Sequence, residues 1–467
     1  LWLRRCPASD SNTVFKGAYP VRQALKLIGN IGFHHKVSLT VFITLLALRL
    51  MIINTPYPSI DPRFCLEPRD GFPSECAFIF DEAHYIPAIR KMLMGVSSNH
   101  EHPPLSKLLV AGSILVLGDN PLGWRIIPSI LSSAAAAIVP LLAWKLTGRK
   151  DVVLLSAMLV SSDVMFFNIG TIAILDGPAL FFLLLGTYLF ISERYIPAAI
   201  ILGLGLLSKA ATLFNIAALI LYALLQSYRR NGSLLKALRE WRPVFEKVVV
   251  VASVVFIAGV AAYDYGLGAF SNPLDHVDYM LNYHSNLKYN CRIHEMPFRC
   301  YVIEPDGRRT AVDLPLGWVM PLTPFEPAGY LVVVASSGDR MWHPIAYWGI
   351  YSPMWWTTFV VLAFTAYQVL KTRGGDKLNA FTASWILIGY GVYFIIAYVL
   401  SRWVYTFYFV PTIPALAIGL PVILSGSRGN RFVLYALTVL QIGWFFTYFP
   451  VKSDVHIQIL ELLNLPR

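Results

Sequence analysis

Two adjacent carboxylates, Asp81 and Glu82, stand in the stretch FIFDEAHY, and His102-Pro103-Pro104 with Lys107 follows about twenty residues later. Placed in one pocket at a water-membrane boundary, this set supplies a proton acceptor and a group that pairs with an anion. A loop that only joined helices would have no need of it. A helix cap would equally place an acid at Asp81, and an ordinary interfacial position would equally place His102 and Lys107.

The elements that must hold these groups are read from composition. The chain has 467 residues, of which 56% are hydrophobic and only 14% charged, with mean hydropathy +0.57; an ordinary soluble globule is excluded. Apolar runs near the roughly 20 residues needed to cross the hydrocarbon recur along its length. Eleven spans are expected, at 37–54, 123–147, 152–169, 173–192, 195–209, 211–227, 246–263, 353–370, 380–400, 404–423 and 432–449.

The net charge of +11 follows the membrane instead of forming a nucleic-acid patch. With the N-terminus cytoplasmic, every inner segment is basic: Arg4 to Lys36, then Lys145, Arg149 and Lys150, then Arg194, then Arg229 to Arg242, then Lys371 to Lys377, then Arg428 and Arg431. An odd number of spans puts the tail 450–467 outside. Residues 1–36 read as a cytoplasmic segment carrying a basic amphipathic helix, with no cleavable signal. Cys65 and Cys76 share the first outer loop, Cys291 and Cys300 the second, and Cys6 alone lies inside, so two outer disulfides are expected. The sequon Asn231-Gly232-Ser233 falls on an inner loop.

Two outer segments are long. Loop 55–122 carries the acidic pair and the His-Pro-Pro element, and its apolar piece LSKLLVAGSILVLG is short enough to lie at the interface. Loop 264–350 contains Asp306-Gly307 between alternating segments, a hairpin signal, and is expected to form a small β-containing cap. The charges inside the spans, Arg125, Asp163, Asp176, Lys209 and Arg402, fall at the depth of Asp81 and Glu82, which predicts one outer-facing site. Acids mixed with Arg and Lys there suit a lipid-linked phosphate, with a carboxylate taking the proton of an incoming hydroxyl. His84, His100, Glu101 and His102 lack metal-ligand spacing, so no metal is required, although a divalent ion bridging Glu101 or Glu82 to a phosphate stays open.

FDEAHY and HPPLSK, followed in order by GWRIIPSILSS, SSDVMFFNIGTIAILDGPALFF, LGLGLLSKAATLF, MLNYHSNLK, LPLGWVMPL and SRWVYTFYFVPTIPAL, together resemble the protein O-mannosyltransferases. The resemblance implies an all-α polytopic membrane protein of GT-C fold, in which residues 37–449 are the transmembrane body. It also implies a polyprenyl (dolichyl) phosphate-linked mannose as donor and protein Ser or Thr hydroxyls as acceptor. Asp81 is then the catalytic base, and Glu82 orients the acceptor or the loop. His102 and Lys107 shape the site and pair with donor phosphate or sugar. Arg125, Lys209 and Arg402 are phosphate ligands or structural ion-pair partners; Asp176 bonds sugar hydroxyls or holds Arg125; Tyr405 and Tyr408 line the lipid groove or anchor the interface. Ser106, Gly170-Thr171 and Ala210 depart from the family pattern, and no MIR insert is present, which implies a prokaryotic, archaeal-type member at the plasma membrane. A dimer stays open. Two other readings compete: a GT-C enzyme passing the sugar to a lipid or glycan, and a transporter or scaffold, which the lack of repeats disfavours.

Overall fold

The computed structural model describes residues 32–56, 78–290, 293–295, 297–303, 307, 309–320, 333, 336–337 and 345–465. Cys6, Cys65, Cys76, Cys291 and the amphipathic segment before residue 32 lie outside them. Cys300 is disulfide-bonded.

Helices α1 (Phe33–Ile52), α4 (Pro121–Thr147), α5 (Lys150–Ser161) and α7 (Asp176–Ile191) form the first half of an all-helical body. They are followed by α8 (Tyr195–Ser208), α9 (Thr212–Asn231) and α10 (Leu234–Leu267). The second half is α13 (Thr358–Lys371), α14 (Lys377–Val399), α15 (Ile413–Ile423), entered through a 3-10 segment at Thr406–Thr412, and α16 (Arg428–Thr447). All eleven apolar runs coincide with these elements. Five helical stretches, Phe33–Ile52, Pro121–Thr147, Leu234–Leu267, Lys377–Val399 and Thr406–Ile423, are long and apolar enough to cross a membrane by length and composition. This is an integral membrane protein.

Helix ends follow local chemistry. α4 starts at Asn120, whose side-chain oxygen accepts from Gly123 N at 3.2 Å, with Pro121 at the first helical position; it ends at Gly148, in the left-handed region at φ +64°. The run 152–169 is not one straight span. It breaks at Asp163, whose Oδ1 accepts from Phe166 N at 2.9 Å and so starts α6 (Val164–Ile169), while Oδ2 accepts from Trp355 Nε1 at 2.8 Å. Asp163 is therefore a buried cap and does not join the acids expected at the outer site.

Between the spans, α2 (Glu82–Leu93) and α3 (Leu105–Leu117) belong to the first long loop. The second contributes α11 (Pro273–Asn286) and an antiparallel sheet in the order β1 (Ile293–Glu295), β2 (Arg299–Ile303), β3 (Arg309–Asp313). The β2–β3 turn contains Gly307 at φ +84°, where the hairpin was expected. The tail is not extended chain: α17 (Asp454–Leu462) is helical, and Pro450 O accepts from Ala346 N at 2.8 Å. The core is one large cluster with a small satellite of Leu207, Val260 and Met280, and α1 packs on α4, α4 on α7, α7 on α8 and α8 on α10.

Candidate functional site

Asp81 and Glu82 are neighbours in sequence with opposite environments. Glu82 is fully buried, and both of its oxygens are engaged: Oε1 accepts from Arg125 Nε at 2.8 Å and Ala173 N at 2.8 Å, and Oε2 from Arg125 Nη2 at 2.7 Å and Ile79 N at 2.9 Å. The remaining Arg125 amine donates to Ile53 O at 3.0 Å and Thr55 O at 3.1 Å. This fork-on-fork pair ties the end of α1, the start of α2, α4 and the segment before α7 at one point. Glu82 and Arg125 hold the loop in place.

Asp81 sits at the cap position of α2 yet makes no capping hydrogen bond, and Phe80 before it has φ +52°, a strained turn that sets where Asp81 leaves the chain. Its carboxylate has no hydrogen bond or ion pair among the described residues. Burial raises its pKa to about 7; Lys209 opposes that rise and Asp176 adds to it. A largely buried carboxylate without a partner, its pKa raised toward neutrality, is suited to take a proton.

Asp176, at the first turn of α7, accepts from Lys209 Nζ at 2.6 Å, so it holds Lys209 and not Arg125. The ammonium also lies 4.8 Å from the Phe407 ring centre and 5.1 Å from that of Tyr408. Beside this pair lies a small cleft of about 20 Å³, lined by Leu180, Leu183, Asn215, Tyr393, Tyr408 and Val410 among others.

The His-Pro-Pro loop is held by its carbonyls. Lys107, buried, donates to Asn99 O, to Asn99 Oδ1 at 3.0 Å and to His102 O at 3.0 Å. Three oxygens thus occupy the ammonium expected to meet phosphate. Burial pushes the His102 imidazole well down, so the ring is neutral; it meets Tyr85 edge-on at 5.8 Å and His284 at 5.1 Å. Arg402 donates to His284 O at 3.0 Å, to His284 Nδ1 at 2.9 Å and to Trp403 O at 3.0 Å. A guanidinium can only donate, so His284 Nδ1 is an acceptor and its proton is on Nε2. Burial, then Arg402, pushes that imidazole down to about 4. Tyr408 lies beside the Arg402 guanidinium, while Tyr405 stacks on Phe407 at the rim and stays 40% exposed.

Asp176, Lys209 and Tyr408 thus line one cleft; Asp81 lies within the electrostatic reach of Asp176 and Lys209, and His102 within that of Lys209 and Arg402, while Glu82, Arg125 and Lys107 are engaged as supports. Residue reading missed the clamp made by α11. His276 Nδ1 meets Asp264 Oδ1 at 2.7 Å and its Nε2 meets His100 O at 2.9 Å, both residues being buried. His284 was visible in MLNYHSNLK, but nothing in the spacing of Asp264 and His276 marked them as a pair. Gly170, a departure from the family pattern, has a local cause: a Cβ there would lie 2.5 Å from Arg49 Nη2 and 2.5 Å from Ser132 Cβ. Ala210, the other, is exposed. Among the described residues, no group of three or more His, Cys, Asp or Glu is arranged to hold a metal ion.

Residues 75–262 match the family model described as dolichyl-phosphate-mannose-protein mannosyltransferase. That stretch contains Asp81, Glu82, His102, Lys107, Arg125, Asp176 and Lys209. The likeness to this family model covers less than half of the chain. It is 29% identical over 129 residues to the polyprenol-phosphate-mannose–protein mannosyltransferase of Corynebacterium glutamicum, an alignment covering 25% of each chain. It is 32% identical over 111 residues to the Mycobacterium tuberculosis protein of the same name, covering 22% of this chain and 21% of that one. The chain thus matches about a quarter of the length of these relatives, both of them bacterial. The fold likeness is longer. The S. cerevisiae protein O-mannosyltransferase Pmt1-Pmt2 complex bound to the sugar donor aligns over 90% of this chain and 90% of that chain, with TM-score 0.62 and 12% identity. ArnT from Cupriavidus metallidurans bound to undecaprenyl phosphate aligns over 90% of this chain and 72% of that chain, with TM-score 0.50 and 14% identity. The fold of the chain is GT-C.

Proposed function

We propose that this protein transfers mannose from a polyprenyl-phosphate carrier to Ser or Thr hydroxyls of proteins at the outer face of a prokaryotic plasma membrane. The observation that carries the reading is the unpartnered Asp81 carboxylate, raised to about 7, beside the Lys209–Asp176 pair and the cleft between α7, α9 and α14. The name of the bacterial relatives supplies the donor and acceptor classes.

In this mechanism the acceptor oxygen attacks the anomeric carbon of mannose from the side opposite the phosphate. Its proton passes to the Asp81 carboxylate, the carbon–oxygen bond to phosphate breaks, and polyprenyl monophosphate leaves with the bonding pair, inverting the centre. Phosphate is a competent leaving group once cations stabilise it, and Lys209 supplies the nearest charge. Asp176 keeps Lys209 aimed, and Arg402 and His284 support the wall. Glu82 acts on Asp81 through the loop that it pins with Arg125.

The test is transfer by the purified full chain in lipid nanodiscs, supplied with polyprenyl-phosphate mannose and either a Ser/Thr peptide or a lipid acceptor. Mannosylated peptide, detected by mass spectrometry, is the expected product. Transfer to the lipid alone would support the GT-C lipid glycosyltransferase reading instead.

A further inference from the structure

The Asn215 carboxamide is a polar group in an apolar place. It projects from α9 one turn beyond Thr212, is 3% exposed, and lines the cleft that also touches Asp176 and Lys209. Its Nδ2 has no hydrogen-bond partner, and no hydrogen bond to Asn215 occurs among the described residues. Gly389 leaves room for it: a Cβ at 389 would lie 2.8 Å from Nδ2. An unbonded amide costs most where water cannot reach it, so its persistence here points to a partner that arrives with a ligand.

The surrounding cations say what that ligand needs. Arg125 is locked on Glu82, Lys107 on three loop oxygens and Arg402 on His284 and a carbonyl, while Lys209 is half-neutralised by Asp176. An anionic group entering the cleft finds little unpaired charge and must take neutral donors. Two Lys209 protons, the Tyr408 hydroxyl and the Asn215 amide are the donors facing it.

We propose that Asn215 is a binding-specificity residue, whose amide donates a hydrogen bond to a phosphate oxygen of the lipid-linked phosphate lying between it and Lys209. This deepens, and rests on, the donor assignment of the preceding section. It separates a phosphate-bearing isoprenoid from the parent alcohol at a position set by α9, away from the reacting carboxylate.

The experiment measures binding, apart from turnover. Full-length protein in nanodiscs is titrated with polyprenyl monophosphate and, in parallel, with the parent polyprenol, following thermal stabilisation and a bound-ligand assay. Asn215→Leu, with Asn215→Ala as the second variant should the larger side chain disturb folding, is expected to bind the monophosphate about tenfold to a hundredfold more weakly, the range for one hydrogen bond to a charged group. Polyprenol binding is expected to stay unchanged, and the unliganded variant to melt no lower than wild type, since an unsatisfied amide has been removed. Wild-type affinity for the monophosphate in both variants would overturn the role of Asn215 alone. A wild-type protein that prefers polyprenol, or binds neither, would overturn the donor assignment and this inference together.

Discussion

Asp81 and Glu82 differ by one position and in their partners: Glu82 is locked on Arg125, whereas the Asp81 carboxylate has no hydrogen bond or ion pair among the described residues. Removing one partner of a buried, hydrogen-bonded ion pair leaves the other charge uncompensated, at a cost of about 3 to 5 kcal/mol. Arg125→Met and Glu82→Gln should therefore lower thermal stability in detergent by this order; variants melting with wild type would show the pair to be dispensable. The pH response belongs to Asp81. A base whose pKa is raised to about 7 is mostly protonated and idle below that value and ionised above it, so transfer should rise with pH through about 7. A kcat/KM profile that falls over the same range would assign the limb to a different group. Neither environment was legible in FDEAHY. The pair's existence was readable; the partner forty-three positions away was not, because periodicity and spacing say nothing about which charges meet across helices.

At the scale of elements, the helical runs were legible since apolar length is local information, and so was the β2–β3 turn at Gly307. The break at Asp163 was not, because it depends on Trp355, remote in sequence, accepting the role of second donor. The same holds for α11, which looks like an ordinary amphipathic helix until its histidines are seen gripping the first loop. His276 has acceptors at both ring nitrogens, Asp264 Oδ1 and His100 O; the carbonyl cannot donate, so Nε2 carries a proton. His276→Phe keeps the ring and removes both bonds. Hydrogen exchange of the amides at 98–102 should then quicken by about tenfold to a hundredfold, the loss of a bond to a charged or buried group. Unaltered protection there would mean that Lys107 and Tyr263 hold the loop without His276.

For the whole molecule, basic segments and long loops imply an orientation in which Asp81, the β1–β3 sheet and α17 face outward, with Arg229 and Arg373 cytoplasmic. Cysteines placed singly at 229 and 373 should resist a membrane-impermeant reagent added to intact cells, whereas one at 307 should react; labelling of 229 from outside would invert the topology and move the site to the other face. The fold was readable because an ordered series of motifs spans most of the chain, while acceptor choice depends on surfaces of the outer loops that motifs do not describe. The central claim is that this body carries one base for sugar transfer, and it is tested most directly by the rate of mannosyl transfer in purified Asp81→Asn beside its affinity for polyprenyl-phosphate mannose. The account predicts a fall of about 10² to 10⁴ in rate, the usual contribution of a general base, with donor affinity kept. Near wild-type transfer by a variant that binds donor normally would contradict it.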